Sequence, residues 1–456
     1  MKSLINIILT LFFLHTGFAQ NKIPPQKPII QTKFTADPAP MVYNDTVFLY
    51  TGHDEDDAWG FKMLNWLLFT STDMVNWTEH GVVASLKDFK WARQDNGAWA
   101  AQCIERNGKF YLYCPLHGGG IGVLVADSPY GPFKDPLGRR LFETDHIWND
   151  IDPSPFIDDD GQAYLFWGNP DLYYVKLNED MISINGDIKK VETKPFNYQE
   201  GPWVWKKDGY YYLAYASTCC PEGIGYAMSK SIHGPWEYKG MIMKATEKTR
   251  GNHPGIIQYK GRWYCFGHSY DLLKKTTARF YERRSVDLDE IHYNPDGTIK
   301  TLEYWSIEGP EQLQSLNPYK RVEAETMAWS EGLKTMFETE WEGDFEWAKG
   351  KKIADRLFVT SINNGDYFMV KGVDFQEGPS SIEVNISSLF GGKIEVRIDR
   401  LDGPVISTIN VEPQGEGGKW KSILSPVKKV KGVHDLYFVF KGEKDLFLFD
   451  WWQFHK

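Results

Sequence analysis

One pattern recurs five times along this chain, and it limits the possible fold more than any other feature. Five stretches begin at Ala36 (ADPAPMVYNDTVFLYTGH), Ala98 (AWAAQCIERNGKFYLYCPLH), Asp150 (DIDPSPFIDDDGQAYLFWGN), Gln199 (QEGPWVWKKDGYYYLAYAS) and Asn252 (NHPGIIQYKGRWYCFGHS). Each reads as a short apolar strand, a polar turn and an aromatic strand. Asn107-Gly108, Asp160-Gly161 and Asp208-Gly209 are dipeptides that favour tight hairpin turns. A second pattern follows each copy, as in FTSTDMVNWTEHG and AMSKSIHGPWEYKG, and reads as strand, turn and closing strand. One unit is then four strands in about 50 residues, the size of a propeller blade. Five units predict a five-bladed β-propeller over residues 31–315, within an all-β chain. A β-sandwich with accidental similarity is the competing reading, and the recurrence of the turn position argues against it.

In a propeller the first strand of each blade lines the axis, and residues at its entrance share one cavity. Counting back eight or nine residues from each hairpin turn gives Asp37, Trp99 or Ala100, Asp152, Glu200 and His253. The four polar ones are each followed by Pro within two residues. Strand propensity does not place Asp or Glu there. Three acids and a histidine are therefore expected at one pocket.

Two carboxyl groups across a pocket suffice to hydrolyse a glycosidic bond: one protonates the leaving oxygen, the other activates water or attacks carbon. A third carboxylate beside the acid raises its pKa, since like charges resist a second ionisation. Asp37 and Glu200 fall on blades one and four, across the ring. That suits the gap of about 6.5–9.5 Å of an inverting enzyme, which seats a water.

The set Asp37 in TADPAP, Asp152 in NDIDPSPFIDDDG and Glu200 in YQEGPWVWKKDG resembles glycoside hydrolase family 43 over residues 31–315. That family consists of five-bladed propellers, inverting glycosidases that act mainly on arabinose- and xylose-containing polysaccharides. The resemblance implies Asp37 as general base, Glu200 as general acid, and Asp152 as the residue that tunes and orients the acid. It implies a supporting His253 near the axis, and a substrate-binding arginine at Arg284, with Arg283 as the alternative. Trp99 would wall the sugar site or sit in the core. The run Asp158-Asp159-Asp160 lacks the spacing and distal Glu of a calcium loop and reads as a solvated turn.

After SLNPYK the pattern changes to alternating strands such as SIEVNISS, GKIEVRIDR and HDLYFVFKG, which predicts a β-sandwich over residues 320–456. YKRVEAET, SINNGDYFMVKGVDF, GKWKSI and DLFLFDWWQF resemble carbohydrate-binding module family 6, a jelly roll. The resemblance implies an aromatic clamp for sugar at Tyr367 and Trp420, and a structural Ca²⁺ held by Glu323, Glu325 and Asp450. One position departs from that family: Leu448 stands where an asparagine usually binds the ligand, which puts binding in the usual cleft in doubt.

The first 19 residues, MKSLINIILTLFFLHTGFA, carry a positive start, a short apolar core and a small-residue exit. They read as a secretory signal peptide cleaved after Ala19, followed by a segment over 20–30. A secreted or periplasmic protein is expected, with no membrane insertion. The net charge of -10 disfavours a nucleic-acid partner. Of the five cysteines, Cys103 and Cys114 flank one hairpin and could pair, but buried free thiols are the favoured reading. No cofactor is expected for catalysis. The partner is then a plant cell-wall polysaccharide or oligosaccharide, and the activity release of L-arabinofuranose from side chains. A β-xylosidase is the runner-up, and a galactofuranosidase or galactanase stands behind it. A sugar-binding protein without catalysis is opposed by the presence of all three acids, and a retaining fructosidase by the absence of an NDPNG-type opening.

Overall fold

The computed structural model describes residues 27–276, 283–342, 351–415 and 419–456. The signal-peptide reading lies outside them. Among the described residues, no helix is long and apolar enough to cross a membrane.

Five antiparallel sheets follow one another along residues 35–291, one for each sequence repeat. Their first strands are Thr35–Tyr43, Gln102–Arg106, Ser154–Ile157, Tyr198–Lys207 and Gly255–Tyr259. Each touches the first strand of the next blade, and the fifth touches the first, so the ring closes. The hairpins turn where the sequence places them, with Asn107, Asp208 and Lys260 in the left-handed region that tight turns require. Closure is completed by the N-terminal segment, whose Ile29 N–H donates to the Val286 carbonyl on the outer strand of blade five (2.9 Å). The blade interfaces are aromatic and aliphatic: Trp66, Trp77, Trp167 and Tyr212 are buried among Leu, Val and Ile.

The C-terminal part is a sandwich of two sheets. One runs in the order Lys334–Glu342, Lys351–Thr360, Leu448–His455, Ser381–Ser387, Lys421–Pro426; the other Trp329–Glu331, Tyr367–Asp374, Val433–Lys441, Gly392–Ile398, Val405–Val411. Their inner faces pack Phe368, Phe438, Phe449 and Trp452 with many β-branched residues, as facing sheets do.

The two parts are not separated by a free linker. Thr326–Met327 pairs with Trp77–Ser85 and adds a fifth strand to blade one. An apolar seam joins Val75 of the propeller to Trp329, Tyr367, Met369 and Tyr437. Polar ties flank it. Asn76 exchanges two hydrogen bonds with the Lys371 backbone (2.8 and 2.9 Å), and the buried Glu79 accepts from Thr32 (3.0 Å) and Thr335 (2.8 Å).

Cys103, Cys114 and Cys265 are buried free thiols, so the Cys103–Cys114 pair does not form. The hairpin register sets Cys103 opposite Leu112, two positions from Cys114. The disulfide joins neighbours instead, Cys219 and Cys220, in the exposed turn after Tyr210–Ser217.

Candidate active site

The four polar residues expected at the hub do meet there. His253 is the centre of the group. Its Nδ1 lies 3.6 Å from Asp37 Oδ1, and its Nε2 lies 3.7 Å from Asp152 Oδ2 and 3.6 Å from Glu200 Oε1. Asp37 therefore faces one edge of the imidazole, while Asp152 and Glu200 share the other. Donor atoms of Asp152, Glu200 and His253 all lie within 4.8 Å of one another. Asp37, Asp152 and His253 are buried; Glu200 is one-fifth exposed and has the freest access to a ligand.

The local sequence explains this aim. Asp37 and Asp152 each precede a proline and adopt positive φ, 51° and 57°, a conformation that costs a non-glycine residue about 1–3 kcal/mol. The pairing register also slips between Ala36 and Ala39, and again between Glu200 and Trp203. Bulges of this kind re-aim side chains at the end of a strand. Blade four differs by one residue. Gly201 takes the pre-proline place with φ 60°, and Glu200 stands one step earlier with a longer side chain. The glycine is required twice over, because a Cβ there would come within 2.9 Å of the His253 ring.

Arg284 completes the hub. Its guanidinium forks onto Asp54 through two hydrogen bonds (3.0 Å each), which fixes it to donate a third to Asp37 Oδ1 (2.7 Å). Arg283, the alternative, turns away and donates to the carbonyls of Glu55 and Ala58 (3.0 and 2.5 Å). Sequence reasoning missed Asp54, whose position inside the GHDEDDAWG insertion gives no periodic signal. It also missed Asn169, whose side-chain amide donates to Glu200 Oε2 and accepts from Gln199 (2.9 Å). Asn169 follows the second strand of blade three, and only the hub geometry brings it to Glu200.

Charge is unevenly distributed. Burial pushes Asp152 up to about 7; His253 opposes this, and Glu200 and Asp37 add to it. Burial also raises Asp37, against the pull of Arg284 and His253. Glu200 feels the same burial, but hydrogen bonds from His253 and Asn169 hold it below the usual glutamate range. The three carboxylates overcome burial at His253 and push it up to about 10, so the imidazole is a cation. The Asp152–Glu200 pair thus retains a proton up to about pH 7, and Asp152 carries it.

Blade two puts Ala100 and Ala101 at the axis, beside a channel of only about 20 Å³. Trp99 stands one step outward and packs edge-on against His117 (4.4 Å), which packs edge-on against the exposed Trp148 (4.9 Å). This aromatic rim includes the expected Trp99 and two residues the repeat did not reveal.

The chain matches the profile of glycosyl hydrolases family 43 over residues 25–299 and that of carbohydrate binding module (family 6) over residues 323–456. The chain belongs to glycosyl hydrolase family 43. It is a glycoside hydrolase with an inverting acid–base pair and a carbohydrate substrate. It is 34% identical to the arabinoxylan arabinofuranohydrolase of Bacillus subtilis (strain 168), over 94% of this chain and 92% of that one. It is 32% identical to the arabinoxylan arabinofuranohydrolase of Paenibacillus polymyxa, over 95% of this chain and 75% of the relative. Among solved structures, the family 43 arabinoxylan arabinofuranohydrolase from Bacillus subtilis in complex with cellotetraose superposes with a TM-score of 0.81 at 31% identity, covering 96% of this chain and 98% of that one.

In the sandwich, the acids implied by resemblance lie together and the two aromatics do not. Tyr367 and Trp420 belong to opposite faces of the domain. Tyr367 is buried in the seam against the propeller. Trp420 lines a concave cleft of about 1080 Å³ on the other sheet, under the guanidinium of Arg356 (4.6 Å). The clamp therefore does not form, because the strand of Tyr367 points that side chain at blade one. Leu448 lines the Trp420 cleft. Glu323, Glu325 and Asp450 do lie where the first and last strands of the domain pair. Arg321 holds Glu323 (2.7 Å), and Arg356 holds Asp450. Glu325 is buried with one carboxylate oxygen unpartnered; burial, helped by the neighbouring carboxylates and opposed by a backbone hydrogen bond, leaves it well above the usual glutamate range.

Proposed function

We propose that this enzyme releases L-arabinofuranose from arabinoxylan side chains by single displacement. Whole-length likeness to two arabinoxylan arabinofuranohydrolases, both domains included, supports the substrate. The imidazole-bridged placement of Asp37 opposite the Asp152–Glu200 pair carries the chemistry. Asp37, ionised and held by Arg284, takes a proton from the attacking water. Glu200, exposed to the ligand, gives a proton to the leaving oxygen. Asp152 is close enough to supply that proton, and Gly201 N–H steadies it (3.1 Å). His253 and Arg284 balance the carboxylates' charge. The test is the sugar released from a panel of arabinan, arabinoxylan and xylo-oligosaccharides. Free arabinose from arabinoxylan supports the reading, and xylose from unbranched xylo-oligosaccharides in its place overturns it.

The sandwich acids suit a structural Ca²⁺ in one respect: Glu325 is a buried carboxylate that lacks a partner, with Glu323 and Asp450 as near neighbours. Such an ion would supply charge neutralisation where the first and last strands of the sandwich meet. Export by the leader Met1–Ala19 is proposed with it, and a mature N-terminus at Gln20 is the direct check.

A further inference from the structure

A second cleft lies between the domains, on the face of the propeller where the catalytic side chains enter. Its propeller wall is made by two connections at that end. One, residues 54–64, joins the second and third strands of blade one; the other follows the second strand of blade five, and its Leu272, Lys275, Thr276 and Arg283 line the cleft. The sandwich wall is the segment Trp329–Thr335, and the volume is about 1020 Å³. Ligand sites for sizeable molecules run to about 300–1,000 Å³, so the space admits several linked sugar rings.

The loop 54–64 serves both cavities. Asp54 binds Arg284, and Phe61 lies 5.4 Å beneath the same guanidinium, on the catalytic side. Asp56, Asp57 and Trp59 line the interdomain cleft. The adjacent arginines divide likewise: Arg284 reaches Asp37, while Arg283 clasps the loop through the carbonyls of Glu55 and Ala58. Trp59 is 84% exposed, the most exposed large apolar side chain among the described residues. Opposite it, Lys275 sits over the Trp329 ring at 4.3 Å, and Lys334 bridges to Asp56 at 2.6 Å. Both signs of charge are interspersed, with no excess to select an ion. An exposed indole among hydrogen-bonding groups of both signs fits a neutral, hydroxyl-rich chain, whose C–H faces stack on aromatic rings.

We propose that this interdomain cleft binds the polysaccharide backbone of the substrate beyond the sugar held at the hub, with Trp59 as its stacking platform. The proposal rests on the glycosidase reading above. The sandwich then contributes to substrate binding through its seam with the propeller.

The test compares a polymer with a small substrate on the full chain. Trp59→Ala is expected to raise KM for soluble arabinoxylan at least fivefold, and to leave kcat/KM for nitrophenyl arabinofuranoside within twofold. Trp59→Phe should recover most of the polymer affinity. Lys275→Ala, on the other side of the cleft, should raise the polymer KM about twofold. Retardation in arabinoxylan gels, measured in a Glu200→Gln background, reads binding without turnover and should weaken with Trp59→Ala. An unchanged polymer KM and unchanged retardation overturn the proposal, as does an equal loss on polymer and small substrate. If the wild-type protein is retarded by arabinoxylan yet cleaves no arabinofuranoside, the hydrolytic reading fails and the cleft stands.

Discussion

The hub of the propeller and the sandwich were each expected to gather distant side chains; the hub brings all four of its polar residues together, while the sandwich brings together its acids and not its two aromatics. At the hub, Asp37, Asp152 and Glu200 come from three blades and surround one imidazole. In the sandwich, Tyr367 and Trp420 fall on different sheets, and Arg321 and Arg356 take up two of the three acids. A propeller repeat fixes direction as well as distance, because each first strand enters at the same end and points to the same axis. Alternation along a sandwich strand fixes only inward against outward. It does not say whether the outward face meets solvent, a cleft or another domain, and blade one covers the face that carries Tyr367.

The largest effect that could break this contrast is expected at the base. Asp37→Asn should lower kcat/KM on arabinoxylan by about 10³-fold or more without unfolding the protein, since a positioned proton acceptor contributes about 10²–10⁴. Loss of less than tenfold, measured by reducing-sugar release, would detach the hub from the chemistry. Asp152→Asn comes next. The retained proton of the Asp152–Glu200 pair is lost as pH passes about 7, so wild-type kcat/KM should fall on the alkaline side near there. Removing the neighbouring negative charge makes ionisation of Glu200 easier. The alkaline limb should therefore move to lower pH, with a fall in rate of about 10–100-fold; a limb that stays in place argues against sharing of the proton.

In the sandwich the expected effects are on stability. Tyr367→Ala should cost about 2–4 kcal/mol of unfolding free energy by denaturant titration, as truncation of a buried aromatic does, and leave activity on a small arabinofuranoside unchanged. Trp420→Ala should cost under about 1 kcal/mol. Equal costs would mean that the two residues share an environment after all. Least of all, a chelator should lower the melting temperature by about 2–4 °C if calcium at Glu325 supplies about 1 kcal/mol. An unchanged melting temperature removes the ion from the account.

Much of the fold was legible because turn dipeptides and aromatic strands repeat at blade spacing, and the acids stand before prolines where strands do not need them. Asp54 and Asn169 were hidden for the opposite reason. Both sit in connections without periodicity, and both matter only through partners more than 30 positions away, Arg284 and Glu200. The added strand Thr326–Met327 was equally silent, because two residues carry no pattern. Cys103 and Cys114 are buried free thiols, the reading the sequence favoured over their pairing.

The central claim is a division of labour around His253, with the water-activating carboxylate on one edge and the proton donor on the other. The most direct measurement sets the loss of kcat/KM for Glu200→Gln on arabinoxylan beside its loss on dinitrophenyl arabinofuranoside, whose leaving group needs no proton. The account predicts a loss of at least about 10²-fold on the polymer and under about tenfold on the activated substrate. Equal losses on both, or full activity on the polymer, would contradict it.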